Sequence, residues 1–143
     1  MGFSVSGASA IIFVGMFISF GMVYTAASNG YEAVSEAQSA AQEDALAQTN
    51  TAIDVVNASY DAATDTLVVN VSNTGASSLS VGRTDLVVDN EYQTTAASSA
   101  VEGDAETDLW LPGETLSFTL TLTASPTRVK VVTESGVAAV EVL

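Results

Sequence analysis

Cysteine and histidine are both absent from this chain of 143 residues. Without cysteine there is no disulfide framework, no thiol nucleophile and no thiol to carry a lipid. Without histidine the commonest general base and a principal zinc ligand are missing too. Any catalysis would have to rest on carboxylates. Basic residues are almost absent: Arg83, Arg128 and Lys130 face seventeen Asp and Glu, for a net charge of −14. Nucleic acid requires clustered cations to displace its counterions, and anionic lipid requires the same. Neither is an expected partner. Proline occurs only at Pro112 and Pro126, both placed in expected turns, as strands require.

Charge of either sign is missing from the first 31 residues, and Glu32 is the first ionised side chain. Ala8 to Ala27 forms one largely apolar block, close to the ~20 helical residues that cross a bilayer core. A secretory signal carries a basic lead and a shorter apolar run, and a pilin-type leader carries charge ahead of its block. The expectation is therefore a retained single-pass anchor, residues 1–27 including a short lead. Within it Gly15 and Ser19, and Gly21 and Thr25, repeat at a spacing of four. Small residues at that spacing let membrane helices approach closely, although Gly and Ser are also common in such helices for other reasons.

The acidic residues that follow set the character of the remainder. So large an excess of one sign strains a compact domain by self-repulsion. Molar salt, which shortens the Debye length to about 3 Å, relieves it. The composition points to a halophile, with an ordinary acidic secreted protein as the alternative. Residues 28–49 are rich in Ala and Glu, and Val34, Ala37, Ala41 and Ala45 fall on one helical stripe. This reads as a helical stalk of about 30 Å, either a thin coiled-coil seam or an Ala-rich spacer.

From Ile53 the period changes to two. Leu116, Phe118, Leu120 and Leu122 alternate with hydroxyl residues, and Leu67, Val69 and Val71 alternate with Val68, Asn70 and Ser72. Shorter runs lie at 53–60, 79–81, 86–88, 128–132 and 137–142, separated by turn signals at 61–65, 73–75, 112–113 and 135–136. Six to eight such strands predict an all-β immunoglobulin-like antiparallel sandwich over residues 50–143.

Several segments resemble the archaellar protein F family of haloarchaea. They are the opening Met1-Gly2-Phe3-Ser4-Val5-Ser6-Gly7-Ala8 before the apolar block, the Asn50-Thr51 helix exit, and the strand Val55 to Asp61. Val69-Asn70-Val71-Ser72-Asn73-Thr74-Gly75, Leu86-Val87-Val88-Asp89 and Leu109-Trp110-Leu111-Pro112-Gly113-Glu114 belong with them. The resemblance spans essentially the whole chain. It implies a stator component of the archaellum, the rotary swimming filament of archaea, anchored in the cell membrane with its sandwich outside, beneath the S-layer. The partners it implies are S-layer glycoprotein and the related archaellar protein G; a homo-oligomer also fits the small-residue stripe. The alternative is a pilin-like or archaellin-like filament subunit that polymerises through its N-terminal helix. Against it, the charged leader and Gly cleavage site of archaellins are missing.

Candidate sites are few. Asn57-Ala58-Ser59 and Asn70-Val71-Ser72 are N-glycosylation sequons. Asn70 sits opposite the apolar face of its strand, whereas the face of Asn57 is ambiguous because Val55 and Val56 are adjacent. Glu102, Asp104, Glu106 and Asp108 alternate, with Glu114 nearby, but they follow no calcium-loop spacing. They read as a solvated acidic loop. Trp110, Tyr60 and Tyr92 are expected to pack onto the sandwich, and Arg83, Arg128 and Lys130 to pair with local carboxylates. No cofactor, metal or catalytic residue is expected, and the contact with a partner is expected at loops and a strand edge.

Overall fold

The computed structural model describes residues 2–93 and 97–143; Met1, whose retention the sequence suggests, lies outside them. Among the described residues one α-helix, α1 (Gly2–Asn50), is followed by ten strands. By internal contacts the chain divides into two units, Met1–Glu43 and Asp44–Leu143.

The first unit is helix alone. From Val5 onward it passes as a membrane-crossing helix by length and apolarity, with mean hydropathy 2.0 in its best window. Ile11, Phe17 and Phe20 are all more than 70 % exposed, and none of the described residues covers them. Such a helix is stable where the surrounding medium is itself apolar and every backbone group is bonded internally. The hydroxyls conform to that rule. Ser19 Oγ donates to Gly15 O at 2.8 Å, Thr25 Oγ1 to Gly21 O at 2.9 Å, and Ser9 Oγ to Val5 O at 3.0 Å. Both repeats of small residues are thus also local donor–acceptor pairs one turn apart.

In the second unit two antiparallel four-stranded sheets enclose one core, an immunoglobulin-like sandwich. The strands are β1 (Ile53–Asp61), β2 (Thr66–Asn73), β3 (Leu79–Ser80), β4 (Asp85–Val88), β5 (Glu91–Tyr92), β6 (Ala97–Val101), β7 (Leu109–Trp110), β8 (Thr115–Thr121), β9 (Arg128–Val132) and β10 (Ala138–Val142). One sheet has the order β1-β2-β8-β6 and the other β10-β9-β4-β5, while β3 and β7 form a small ribbon. Alternation does what the sequence predicts. Leu67, Val69 and Val71 of β2 and Leu116, Phe118 and Leu120 of β8 point inward. There they meet Leu86 and Val88 of β4 and Val129 and Val131 of β9 in a single apolar cluster.

Three elements depart from the sequence reading. Val81 was expected to extend a strand from Leu79, but it opens a short 3-10 turn, Val81–Arg83, after two strand residues. Leu122 lies beyond β8 and packs on the margin of the core instead of within the strand. Strands β5, β6 and β7 were not expected. β6 reads Ala-Ser-Ser-Ala-Val and lacks the alternation of large apolar residues that marks a strand; pairing with β8 along all five residues specifies it instead.

The junction between helix and sandwich is made from backbone. The carbonyl of Asn50, orphaned at the helix end, accepts from Ala76 N at 2.8 Å and Ser77 N at 3.2 Å. Ala52 O accepts from both Thr74 N and Gly75 N at 2.9 Å. Farther back, Thr49 Oγ1 bonds Ala45 O and Thr51 Oγ1 bonds Ala47 O. The loop at 73–77 lies so close that a Cβ on Gly75 would stand 2.5 Å from Ala52 N and 2.6 Å from Asn50 O. Only glycine fits there.

Candidate interaction surfaces

The residues most able to do chemistry are carboxylates, and local geometry engages most of those in the 102–114 segment. Glu102 Oε1 accepts from Thr115 N at 2.8 Å, Asp104 Oδ1 from Glu106 N at 2.9 Å, and Glu114 Oε2 from Leu111 N at 2.8 Å. Asp108 reaches across to the 3-10 turn, accepting from Gly82 N at 2.6 Å and Ser80 Oγ at 2.9 Å. Those bonds favour its ionised form and hold its carboxyl below the usual aspartate range. Among the described residues no three acidic side chains converge as metal ligands would. Glu102, Asp104 and Asp108 act singly, each holding a nearby backbone N–H, and Glu106 points to solvent.

Asp89 follows the same logic at the opposite sheet. Its carboxylate accepts from Thr127 Oγ1 at 2.6 Å, Thr127 N at 3.1 Å and Arg128 N at 3.0 Å. The Thr127 hydroxyl above all, then these backbone donors, depresses its pKa. Asp61 caps its own turn through Ala63 N and Thr64 Oγ1, and its carboxyl is lowered likewise.

Trp110 is fully buried, with its indole Nε1 donating to Glu114 O at 2.9 Å. Tyr60 packs half-buried on the core margin, its hydroxyl donating to Asp65 Oδ1 at 3.0 Å; partial burial and that carboxylate raise its pKa. Tyr92 does not pack inward. It is 57 % exposed, because β5 is a two-residue edge strand, and its hydroxyl donates to Asp85 at 2.7 Å.

The cations also depart from expectation. Arg83 pairs with Glu134 at 2.7 Å, but the Arg128 guanidinium donates to Asn90 Oδ1 and makes no salt bridge among the described residues, while its charge acts on the neighbouring Asp89. Lys130 makes no salt bridge among the described residues. The register explains this: the cross-strand neighbours of Lys130 are Val87 and Val140, and that of Arg128 on β10 is Val142.

A residue passed over as part of a turn turns out to be central. Asn73 is fully buried at the end of β2. Its Nδ2 donates to Ser77 O at 2.9 Å and Trp110 O at 3.3 Å, while its Oδ1 accepts from Gly75 N at 3.1 Å. It therefore ties the helix-exit loop to β7.

The two sequon asparagines face each other across β1 and β2, as a directly opposed pair on the outer side of their sheet. The register slips between Val55 and Asn57, so Val56 is a bulge. That slip resolves the ambiguity of adjacent valines: Val55 and Ala58 both face the core side, and Asn57 faces out and is exposed. Asn70 is only half-buried, yet its Oδ1 accepts from Ser117 Oγ at 2.7 Å.

Comparison with known proteins is sparse. No protein-family model matches the chain, and no curated protein matches it. Solved structures do match, among them two that align with part of this chain. One is the archaellum periplasmic stator protein FlaG from Sulfolobus acidocaldarius, with a TM-score of 0.47 and 16 % identity over 65 % of this chain and 99 % of that one. The other is the archaellum periplasmic stator protein complex of FlaF and FlaG from the same organism, with a TM-score of 0.45 and 15 % identity over 64 % and 87 % of the respective chains. The likeness is distant. The fold described above rests on its own strand order and register.

Proposed function

We propose that this protein is a membrane-anchored stator element of the archaellum, holding its sandwich outside the cell membrane against the S-layer. The reading is carried by one combination of features: an apolar helix suited to a bilayer, continuous with an Ala-rich helical stretch, ending in an acidic sandwich whose carboxylates serve turns instead of a reaction centre. Resemblance to the archaellar protein F family, spread over the helix lead and the strand motifs, supports the same assignment. A helix that crosses the membrane and continues beyond it suits a binding module whose target is a lattice above the lipid.

In this reading residues 1–27 are the anchor, 28–49 the stalk and 50–143 the binding domain, with the N-terminus in the cytoplasm. S-layer glycoprotein and archaellar protein G are the partners. Gly15 and Ser19, with Gly21 and Thr25, form the helix-packing positions of a membrane-embedded pair.

Motility and binding test it together. Deleting the protein is expected to abolish swimming while leaving the S-layer assembled, and the sandwich is expected to bind purified S-layer glycoprotein at high salt. Normal swimming of the deletion strain would overturn the stator assignment. Recovery of the protein along sheared filaments would transfer it to the filament-subunit alternative.

A further inference from the structure

We propose that Asn57 carries an N-linked glycan and that Asn70, whose sequon is equally complete, does not. The inference rests on the placement of the sandwich outside the membrane, and what it adds is the site.

Both sequons satisfy the same sequence rule, and the fold separates them. Asn57 lies on β1, an edge strand hydrogen-bonded on one side only, and directly beside the Val56 bulge where pairing with β2 slips. A transferase must draw the Asn-x-Ser segment out of the sheet to reach both the amide and the serine hydroxyl. At β1 that requires releasing one short stretch of ladder already interrupted at the bulge. Asn70 lies on β2, bonded to β1 on one side and β8 on the other, and its amide oxygen holds the Ser117 hydroxyl at 2.7 Å. Drawing it out would break two ladders and expose Val69 and Val71, which are fully buried. The two asparagines are direct cross-strand neighbours, so a glycan on Asn57 also covers Asn70.

A second observation points to the same face. In a chain of net charge −14, the outer surface of the β1-β2-β8-β6 sheet is built mostly from uncharged residues. Ser59, Asn70, Ser72, Ser98, Ser117 and Thr119 share it by register with Val68 and Ala100, and among the described strand residues its acids are Asp54 and Asp61, near the ends of β1. Here a hydroxyl-lined sheet offers donors and acceptors to a sugar lying across it.

The donor is an oligosaccharide linked to a lipid phosphate. The bond between the sugar's C1 and the phosphate oxygen breaks, the lipid phosphate leaves with the electron pair, C1 bonds to Nδ2 of Asn57, and one amide proton is lost.

The test uses the full chain purified from a host that glycosylates its surface proteins. Cleavage after acidic residues separates the sites, because Asp61 and Asp65 lie between them. Peptide mass spectrometry should find sugar on the Asn57 peptide only. Intact mass should fall to that of the bare variant sequence in Asn57→Gln and in Ser59→Ala, and keep the full wild-type sugar increment over the bare sequence in Asn70→Gln. Circular dichroism on the same samples checks that each variant is folded. Sugar on the Asn70 peptide, or an unmodified wild-type mass, overturns the inference. Protease added to intact cells stripped of S-layer then tells the failures apart. An unmodified domain that is digested sinks the glycan alone, whereas one that is protected sinks the outside placement as well.

Discussion

At the scale of single residues, stability is concentrated where the helix exit meets the sandwich. Gly75 has no room for a side chain against Ala52 N and Asn50 O, and both obstacles are backbone that cannot rotate away. Gly75→Ala is expected to destabilise the sandwich by about 2 kcal/mol, as overpacking does. Asn73→Leu keeps the branched shape but leaves Ser77 O and Trp110 O without the amide donor and Gly75 N with Ala52 O alone, all beside an apolar side chain. A loss of about 3 kcal/mol is expected, from buried groups left without partners. Chemical denaturation of both variants measures this, and a wild-type midpoint for either contradicts the clamp. Acid acts on a different residue. The folded-state pKa of Asp89 is lowered, first by the Thr127 hydroxyl. Its stabilising contribution is therefore complete above the unfolded aspartate value near 3.9 and is lost as pH falls through the folded value. The difference in melting temperature between wild type and Asp89→Asn should be constant from neutral pH to about 5 and shrink below about 4. A difference independent of pH would remove Asp89 from the account.

Among the elements, β1 is the least regular and the most instructive. Removing Val56 leaves the alternation intact, since Val55 and Ala58 would still face the core and Asn57 the outside. The deletion should therefore fold, with a melting temperature within a few degrees of wild type, and its edge should be straighter. Bulges help keep edge strands from pairing with other chains, so sedimentation should reveal self-association that wild type lacks at equal concentration. A deletion that unfolds would mean that the bulge is needed for packing. The same strand marks the limit of what sequence conveys. β2, β8 and β9 were legible because large apolar residues alternate with polar ones along them. In β1 the adjacent valines left the phase open, and only pairing to β2 resolves it. β6 was illegible for a related reason: four of its five residues are Ala or Ser, so β8 and not its own pattern makes it a strand. The candidate sites divide in the same way. Both sequons stood in plain sight, but which asparagine is reachable depends on whether its strand is at an edge or in the middle of a sheet. Asn73 resembled any turn asparagine until burial revealed its three bonds.

For the molecule as a whole, charge is the dominant fact. Of the seventeen acidic residues, Glu32, Glu36 and Glu43 precede Asp44, so the unit Asp44–Leu143 carries the other fourteen together with all three cations. Attraction offsets little of this repulsion. Among the described residues the one salt bridge joins Arg83 and Glu134, and Arg83 is 72 % exposed, a setting in which such pairs contribute little. A fragment beginning at Asp44, which retains the bonds of Thr49, Asn50 and Thr51, should therefore melt at low temperature in dilute buffer. It should gain stability as KCl rises toward 3 M. Screening has a recognisable form: the Debye length falls from about 10 Å at 0.1 M to about 3 Å at 1 M, so most of the gain belongs below 1 M. Stronger apolar association in salt would instead keep raising stability beyond that point. A variant separates the two causes. Asp44→Asn, Glu91→Gln, Glu106→Gln and Glu141→Gln together remove four charges from exposed side chains that the described structure does not hold in hydrogen bonds. If repulsion is the cause, the variant should start more stable in dilute buffer and show a shallower rise below 1 M. An equally steep rise in both proteins would place the salt effect in the core, and a flat melting temperature in wild type would end the halophile reading.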